Sequence, residues 1–139
     1  MKININNLQK KITVKPGKIK ELILNILKGE KIKGSGYINI CFVEDPLIKK
    51  FNAKFLKNDS STDVLAFDLN DAKIGKVLLA DIMISTDTAL NNAREFNTRP
   101  EDELMLYITH GVLHILGYDD RDKAQKKQMR KKELEYVNR

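Results

Sequence analysis

The apolar run TRPEDELMLYITHGVLHILG, residues 98–117, constrains the fold of this chain more than any other segment. From Leu104 onward a helix built from it would be apolar on almost every side, and such a helix is stable only inside a core. Thr98 and Glu101 have the spacing of a capping box, and the acidic residues 101–103 suit the positive end of a helix dipole. The sequence therefore predicts a buried helix over residues 98–117, around which the other elements must pack.

The other segments predict four more helices and a small sheet. Residues 16–30 carry an apolar stripe with helical spacing, between Pro16 at a suitable start and Gly29 at a suitable end. Residues 73–85 are almost continuously apolar, as in a strand that is covered on both faces. The remaining predicted elements are helices over residues 44–56, 86–96 and about 120–137 and strands over residues 1–7, 37–43 and 61–69.

This order of elements predicts an α+β fold. We expect a single domain over residues 1–139, in which a small mixed β-sheet of about four strands packs with about five helices. The buried helix is central in this arrangement, and the residues most suited to chemistry lie at its C-terminal end.

Composition limits the compartment and the partners. The only cysteine, Cys41, cannot form an internal disulfide, the N-terminus shows no secretory signal, and no apolar run approaches the ~20 residues that span a bilayer. We therefore expect a cytoplasmic protein that does not enter membranes. The net charge of +6 favours a polyanionic partner such as RNA, DNA or an acidic membrane surface, although many basic enzymes never meet nucleic acid.

The chain has only two histidines, His110 and His114, and both lie on the predicted buried helix. Residues four apart share a helix face, so both imidazoles can reach one metal ion. Gly117 can take a positive φ and turn the chain back, which would deliver the carboxylate of Asp120 as a third ligand. The spacing predicts one metal ion per chain held by His110, His114 and Asp120. Zinc suits these donors, and so do iron(II) and other divalent ions.

A second interpretation of the histidine pair stays open at this point. Two histidines on an apolar helix can also be core residues whose ring nitrogens are satisfied by hydrogen bonds. Against this, the helix is otherwise apolar, so polar side chains without partners would be costly there. Gly111, beside His110, costs about 1 kcal/mol relative to alanine in a helix, which predicts close packing at that position.

The residues that carry this pattern resemble a known family. HGVLHILGYDD, residues 110–120, resembles the H-G-x-L-H-L-x-G-Y-D-H signature of the YbeY family, bacterial metal-dependent endoribonucleases of rRNA maturation. FNAKFLKNDSSTDVLAFDL, residues 51–69, resembles the L-N-x-x-Y-R-x-K-D-x-P-T-D-V-L-S-F segment of that family. ADIMISTDTALNNAREF, residues 80–96, resembles its G-D-I-x-I-S strand and the helix that follows. The three segments occur in the family's order.

The resemblance implies a single-strand-specific endoribonuclease that acts at the 3′ end of small-subunit rRNA and in ribosome quality control. The family's chemistry is attack of a metal-activated water on a phosphodiester. The implied partners are rRNA and the small ribosomal subunit. A basic cluster on the last predicted helix would contact the RNA backbone, unless it is only a solvated helix face. Its candidate RNA-binding residues are Lys126, Lys127, Arg130 and Lys131.

The chain departs from the family pattern at two positions. The third histidine of the signature is Asp120 here, which keeps three ligands but adds a negative charge that lessens the polarising power of the metal. The family's arginine in the 51–69 segment is absent, because Phe55 and Leu56 stand at the matching positions. Lys54 or Lys57 would have to supply its positive charge.

The sequence does not identify a general base. Asp63 and Asp119 are the candidate catalytic residues, because both match the family segments or flank the predicted ligands. Asp81 interrupts an apolar strand, and we expect it to accept hydrogen bonds there or to support the metal site.

Two other functions remain as alternatives. A metalloprotease also places two histidines four apart before a glycine turn, but it needs a glutamate directly after the first histidine, where this chain has Gly111. A non-catalytic RNA-binding protein of ribosome assembly, with a structural metal, would explain the absent arginine. Loss of RNA cleavage on chelation distinguishes the nuclease from the assembly protein.

Overall fold

The computed structural model of the chain describes residues 1–56, 63–69 and 77–138, without the side chains of Phe55 and Leu56. It confirms the predicted α+β fold, with five helices and a four-stranded mixed sheet. The helices are α1 (Pro16–Gly29), α2 (Asp45–Leu56), α3 (Thr86–Phe96), α4 (Pro100–Ile115) and α5 (Lys123–Val137). The strands are β1 (Lys2–Asn7), β2 (Ser35–Val43), β3 (Val64–Asp68) and β4 (Val77–Ser85).

The sheet has the strand order β1-β2-β4-β3. Strands β1, β2 and β4 are parallel to one another. Helix α1 returns the chain between β1 and β2, and the antiparallel strand β3 returns it before β4. Strand β3 runs antiparallel to β4 at the other edge. The N-terminal segment is therefore a strand, as predicted, and it forms an edge of the sheet.

One face of the sheet carries the main core, in which α4 is the central helix. A Cβ built on Gly111 would lie 3.0 Å from Cγ2 of Ile82 and 3.2 Å from Cγ2 of Val64. The glycine thus lets the backbone of α4 lie so close to the sheet that a side chain at this position would require Ile82 or Val64 to shift. The predicted close packing at Gly111 is confirmed. It sets the distance between the neighbouring His110 and the strands.

The opposite face of the sheet is covered only in part, so the prediction of a strand buried on both faces is wrong for residues 77–85. The predicted residues 73–76 lie outside the described residues. Helix α2 covers one end, where Val43, Ile48 and Leu65 form a second small core. Beside that cluster the face is polar: Asn4 donates to Asn39, and Asn39 donates to Asp81, each at 2.8 Å. Because side chains alternate along a strand, Asp81 points away from α4, and its role is that of a hydrogen-bond acceptor within the sheet.

The start of α4 differs from the predicted capping box. The N-cap residue is Arg99, which makes no side-chain cap bond, and Pro100 is the first residue of the helix. Proline at that position pushes the preceding residue into extended backbone, so the helix cannot begin at Thr98. The Thr98 hydroxyl instead donates to the buried carboxylate of Glu103 at 2.6 Å.

The end of α1 also differs from its predicted signal. Gly29 is the last helical residue, and the positive φ of 60° belongs to Lys31. A Cβ at Gly29 would collide with the ring of Tyr136, so this glycine allows α5 to pack against α1. The stripe predicted on α1 is confirmed, with Ile19, Leu22, Ile23, Ile26 and Leu27 all buried. Within the described residues, no helix is both long enough and apolar enough to cross a bilayer.

Candidate metal centre

The two histidines lie side by side in the last turns of α4, as their spacing predicts. Their ring planes differ by 4°, and their ring centroids are 6.5 Å apart. The His110 side chain is 28% exposed, and His114 is exposed to solvent. The interpretation of both residues as core histidines is therefore wrong for His114. An exposed imidazole beside a half-buried one, on one helix face, suits a site that is open to a ligand.

Each ring has its Nδ1 atom occupied by a hydrogen-bond acceptor. Nδ1 of His110 lies 2.7 Å from Oε2 of Glu133, and Nδ1 of His114 lies 3.1 Å from the carbonyl oxygen of Tyr118. An ionised carboxylate and a carbonyl can only accept, so Nδ1 carries the proton in both rings. In the neutral rings the lone pair then belongs to Nε2. Metal-binding histidines commonly show this arrangement, in which Nε2 faces the ion and Nδ1 donates to a fixed acceptor.

The environment of His110 is acidic. The hydrogen bond to Glu133 raises the pKa of His110 above its usual value, burial opposes this, and the charges of Glu133, Asp63 and Asp120 add to the rise. Negative charges that stabilise the extra proton on an imidazole also stabilise a cation that binds the ring in place of that proton. The electrostatics of the site therefore favour a positively charged ligand.

The turn after α4 brings Asp120 to the histidines. Gly117 has a φ of 109°, the Gly117 amide donates to the His114 carbonyl, and the Tyr118 amide donates to the Leu113 carbonyl. This is the Schellman arrangement, in which a left-handed glycine closes the helix end and reverses the chain. As a result Oδ2 of Asp120 lies 3.6 Å from Nε2 of His110. The turn predicted at Gly117 is confirmed.

The donor chemistry fits a divalent ion such as zinc, which takes imidazole nitrogen and carboxylate oxygen in tetrahedral sites. Across residues 1–56, 63–69 and 77–138, however, no three His, Cys, Asp or Glu side chains converge into a finished metal site. His110 and Asp120 are adjacent, and His114 is one turn further along the same helix. Metal binding by His110, His114 and Asp120 thus stays a prediction.

The two candidate catalytic carboxylates occupy different environments. Asp119 is engaged within its own turn: Oδ1 accepts from the Asp120 amide at 2.8 Å, and Oδ2 pairs with Arg121 at 2.8 Å. Asp63 precedes β3, its carbonyl accepts from the Ser85 amide, and its charge reaches His110. Asp63 is therefore the one of the two whose charge acts on His110, whereas Asp119 shapes the turn.

A second carboxylate, Glu30, anchors this turn to the rest of the molecule. Its Oε1 accepts from the Tyr118 hydroxyl at 2.6 Å, and its Oε2 accepts from Tyr136 and, at 3.3 Å, from Lys132 of α5. Burial alone would raise the pKa of Glu30, but these donors outweigh it and lower that pKa. Glu30 thus ties α1 and α5 to Tyr118, whose carbonyl contacts His114.

The basic residues predicted to bind RNA form one side of α5. Lys126, Lys127, Arg130 and Lys131 are all exposed. Helical spacing sets Lys126 beside Arg130 and Lys127 beside Lys131. Nη1 of Arg130 lies 3.5 Å from Oε1 of Glu133, the residue that contacts His110, so this basic side begins next to the candidate metal centre.

Sequence reasoning missed Glu133, Glu30 and Tyr118. Glu133 and Glu30 lie 23 and 88 residues from the partners that they contact here, so no local spacing could pair them. A signal was present for Glu133, because the buried residues of α5 are Met129, Glu133 and Tyr136. A glutamate on an otherwise apolar stripe requires a buried partner.

The comparisons with known proteins show the family to which the chain belongs. The sequence model of the family described as Endoribonuclease YbeY matches residues 4–139. The chain belongs to the YbeY family. The predicted family is thereby confirmed over nearly the whole chain. In this YbeY chain, Leu56 stands at the position of the family's arginine; its side chain and Lys57 lie outside the described residues, and Lys54 lies in the last turn of α2.

Relatives described as Endoribonuclease YbeY extend over most of the chain. One from Desulforamulus reducens is 34% identical over 144 residues, which cover 96% of this chain and 93% of the relative. One from Flavobacterium johnsoniae is 36% identical over 105 residues, which cover 76% and 73%. The solution structure of a Thermotoga maritima protein is similar with a TM-score of 0.64 at 31% identity, covering 98% of this chain and 87% of that one.

Proposed function

We propose that this protein is a metal-dependent endoribonuclease that cleaves single-stranded RNA, with the 3′ end of small-subunit rRNA as its substrate in ribosome maturation and quality control. Membership of the YbeY family supports the endoribonuclease activity. The observation that carries the metal site is the pair of Nδ1 contacts, from His110 to Glu133 and from His114 to the Tyr118 carbonyl. Both contacts leave Nε2 as the metal-binding nitrogen, and Asp120 is next to the first ring.

The roles of the residues follow from their places around this site. His110, His114 and Asp120 would hold zinc, which supplies a Lewis acid for the phosphoryl oxygen and makes a nucleophile available at neutral pH. Asp63, close enough to affect His110, is the proposed proton acceptor during attack on the phosphodiester. The turn closed by Gly117 brings Asp120 to His110, and His114 is exposed, so a single strand can approach the site.

The basic side of α5 is the proposed contact for the RNA backbone. Helix α5 contains six Lys and Arg against two Glu, and these cations account for much of the chain's net charge of +6. Phosphate contacts of this kind give affinity without sequence specificity and guide the strand toward the metal centre. Arg130 is the member nearest His110, through Glu133.

Metal removal gives the first test of the proposal. Purified protein should contain about one zinc ion per chain. It should cleave a single-stranded RNA that carries the small-subunit 3′ sequence, and leave the same sequence intact when paired in a duplex. Treatment with a chelator should abolish cleavage, and zinc should restore it. Metal analysis by mass spectrometry and gel assays of end-labelled RNA measure both quantities.

Three outcomes would contradict parts of the proposal. Cleavage that survives complete removal of metal would exclude metal dependence. Stoichiometric metal without cleavage would favour the alternative of a ribosome-assembly protein with a structural metal, which the absent arginine at Leu56 makes a specific candidate. Hydrolysis of peptides would favour a protease, although the position of the protease's catalytic glutamate is taken here by Gly111, which packs tightly against Ile82 and Val64.

Charge reversal on α5 tests the RNA contact. The double variant Lys127→Glu and Lys131→Glu should weaken RNA binding, and the slope of log Kd against log salt should fall by about 0.7 for each phosphate that is no longer bound. Both residues are exposed, so folding and zinc content should not change. Fluorescence anisotropy at several salt concentrations measures the effect.

The matched control reverses the same charge elsewhere. Lys18 and Lys20 are exposed near the start of α1. The opposite end of α1, beside Glu30, is the end that lies near the site. Lys18 and Lys20 are therefore about 15 Å or more from that end along the helix axis. The double variant Lys18→Glu and Lys20→Glu should bind RNA more tightly than the α5 variant. Equal losses of affinity in the two variants would show that only net charge matters and that α5 does not bind the RNA.

A further inference from the structure

Glu133 is a buried carboxylate whose contacts point at the candidate metal centre. The residue is 6% exposed, and it lies on the face of α5 that packs against α4. Its Oε2 is 2.7 Å from Nδ1 of His110, and its Oε1 is 3.5 Å from Nη1 of Arg130. A buried carboxylate is costly without such partners, so its position on an apolar stripe calls for an explanation.

The contact determines which nitrogen of His110 is free. An isolated imidazole in water can carry its proton on either nitrogen, and the acceptor that it meets in the protein decides between them. Because Glu133 accepts from Nδ1, the lone pair of the neutral ring lies on Nε2. That atom faces Asp120 at 3.6 Å, on the side of the ring where the metal site is proposed. The carboxylate also fixes the rotation of the ring and makes Nε2 more basic.

A purely structural role would look different, and the same chain provides an example. Glu103 on α4 is 8% exposed, almost as buried as Glu133, and it accepts from the Thr98 hydroxyl at 2.6 Å. That hydrogen bond joins two neighbouring segments and touches no histidine. Glu133 has similar burial but uses its shorter contact on a ring nitrogen of His110. The two carboxylates therefore differ in their contacts: Glu133 accepts from a histidine ring, and Glu103 accepts from a threonine hydroxyl.

We infer that Glu133 is a positioning residue that holds His110 in its metal-binding tautomer and orientation, an inference that rests on the proposed metal site. The chain of interactions runs from Arg130 to Glu133 and on to His110. For His114 the Tyr118 carbonyl takes the same part, and Glu30 holds Tyr118 through its hydroxyl. Each histidine therefore has its own support, and only that of His110 is a charged side chain.

The experiment compares three variants of the full chain. Glu133→Leu keeps about the same volume and removes the acceptor, which leaves the Nδ1–H group of His110 without its partner. Glu133→Gln keeps an acceptor oxygen without the charge. Glu103→Gln is the matched control, since it neutralises an equally buried glutamate away from the histidines. Nitrogen-15 NMR of the metal-free proteins, at a pH where the rings are neutral, reports the tautomer of each histidine. Competition with a chromogenic chelator gives the zinc affinity.

We expect wild type and Glu103→Gln to hold His110 with the proton on Nδ1. Glu133→Leu should lose this preference and bind zinc about 10- to 100-fold more weakly, and Glu133→Gln should lie between. The tautomer of His114 should not change in any variant, because its acceptor is the Tyr118 carbonyl. Amide spectra that match the wild type show that a variant is folded, and Glu133→Gln carries the test if Glu133→Leu is not.

The outcomes separate the two proposals. If wild type binds zinc and the two Glu133 variants keep both the tautomer and the affinity, the positioning role is wrong and the proposed function stands. If Glu103→Gln weakens zinc binding as much as Glu133→Leu does, the effect is general destabilisation and the positioning role is again wrong. If wild type itself binds no zinc, the proposed metal site fails, and the positioning role fails with it.

Discussion

Replacing His114 with alanine should abolish zinc binding and metal-dependent RNA cleavage while leaving the protein folded. His114 is exposed, and its one described hydrogen bond runs from Nδ1 to the Tyr118 carbonyl. Substitutions of exposed helical residues usually change stability by no more than about 0.5 kcal/mol. Loss of one of two imidazoles, by contrast, removes a strong ligand from a site that has three protein donors at most. Metal analysis, RNA cleavage and thermal unfolding should therefore separate function from stability.

The matched control for this variant is Gln128→Ala on α5. Gln128 is an exposed helical residue with a polar side chain, and it lies on a helix that supports the site without supplying a predicted ligand. It should keep full zinc content and cleavage. One zinc ion per chain retained in His114→Ala would remove His114 from the site, and a large fall in the unfolding temperature would show that this histidine is part of the core after all.

The elements that the sequence predicted correctly are those with a strong local pattern. The stripe on α1 recurs every three to four residues and identifies the residues that are buried. The length and apolar character of α4 identify the helix at the centre of the core. Gly117, followed by a polar turn, marks the end of that helix and the return of the chain toward Asp120.

Two predictions about helix ends failed, one at the start of α4 and one at the end of α1. Thr98 and Glu101 have capping-box spacing, but Pro100 between them restricts the backbone of Arg99, and the helix begins after it. Gly29 resembles a helix stop, but the space that it leaves is used by Tyr136 from α5. The first failure is a local conflict that the sequence itself contains, whereas the second was decided by the packing of α5 against α1.

The contacts of the supporting residues could not be predicted because their partners are distant in sequence. Glu133 reaches His110 from another helix, and Glu30 reaches Tyr118 from the end of α1. Glu30 appears in the sequence as an ordinary charge in a lysine-rich segment, and the apolar stripe around Glu133 indicates burial without identifying its partner. The family signature covers the proposed ligands and the turn, but it does not include the carboxylates that hold them. The structure was needed to find those contacts, and it makes the proposed positioning role of Glu133 testable.

Asp120 should control both the affinity of the metal site and its pH dependence. Its carboxylate lies 3.6 Å from Nε2 of His110 on the turn after Gly117. Asp120→Asn should weaken zinc binding by at least the 10- to 100-fold that loss of a supporting partner costs, because an amide is a poor zinc ligand. Asp120→His restores the third histidine of the YbeY signature and should keep zinc. Competition titrations measure both affinities.

The exchange of aspartate for histidine also has a predicted sign. A neutral imidazole removes one negative charge from the site, so ionisation of water there becomes easier, and the rising limb of the cleavage rate should move to lower pH in Asp120→His. Asp122→Asn is the control: it removes the same charge two residues away, and asparagine can replace aspartate as the N-cap that accepts from the Gln125 amide. A pH profile that moves equally in both variants would show that only the charge of the turn matters. A shift confined to Asp120→His would identify Asp120 as the third ligand and would show that the aspartate moves the active pH range above that of a three-histidine site.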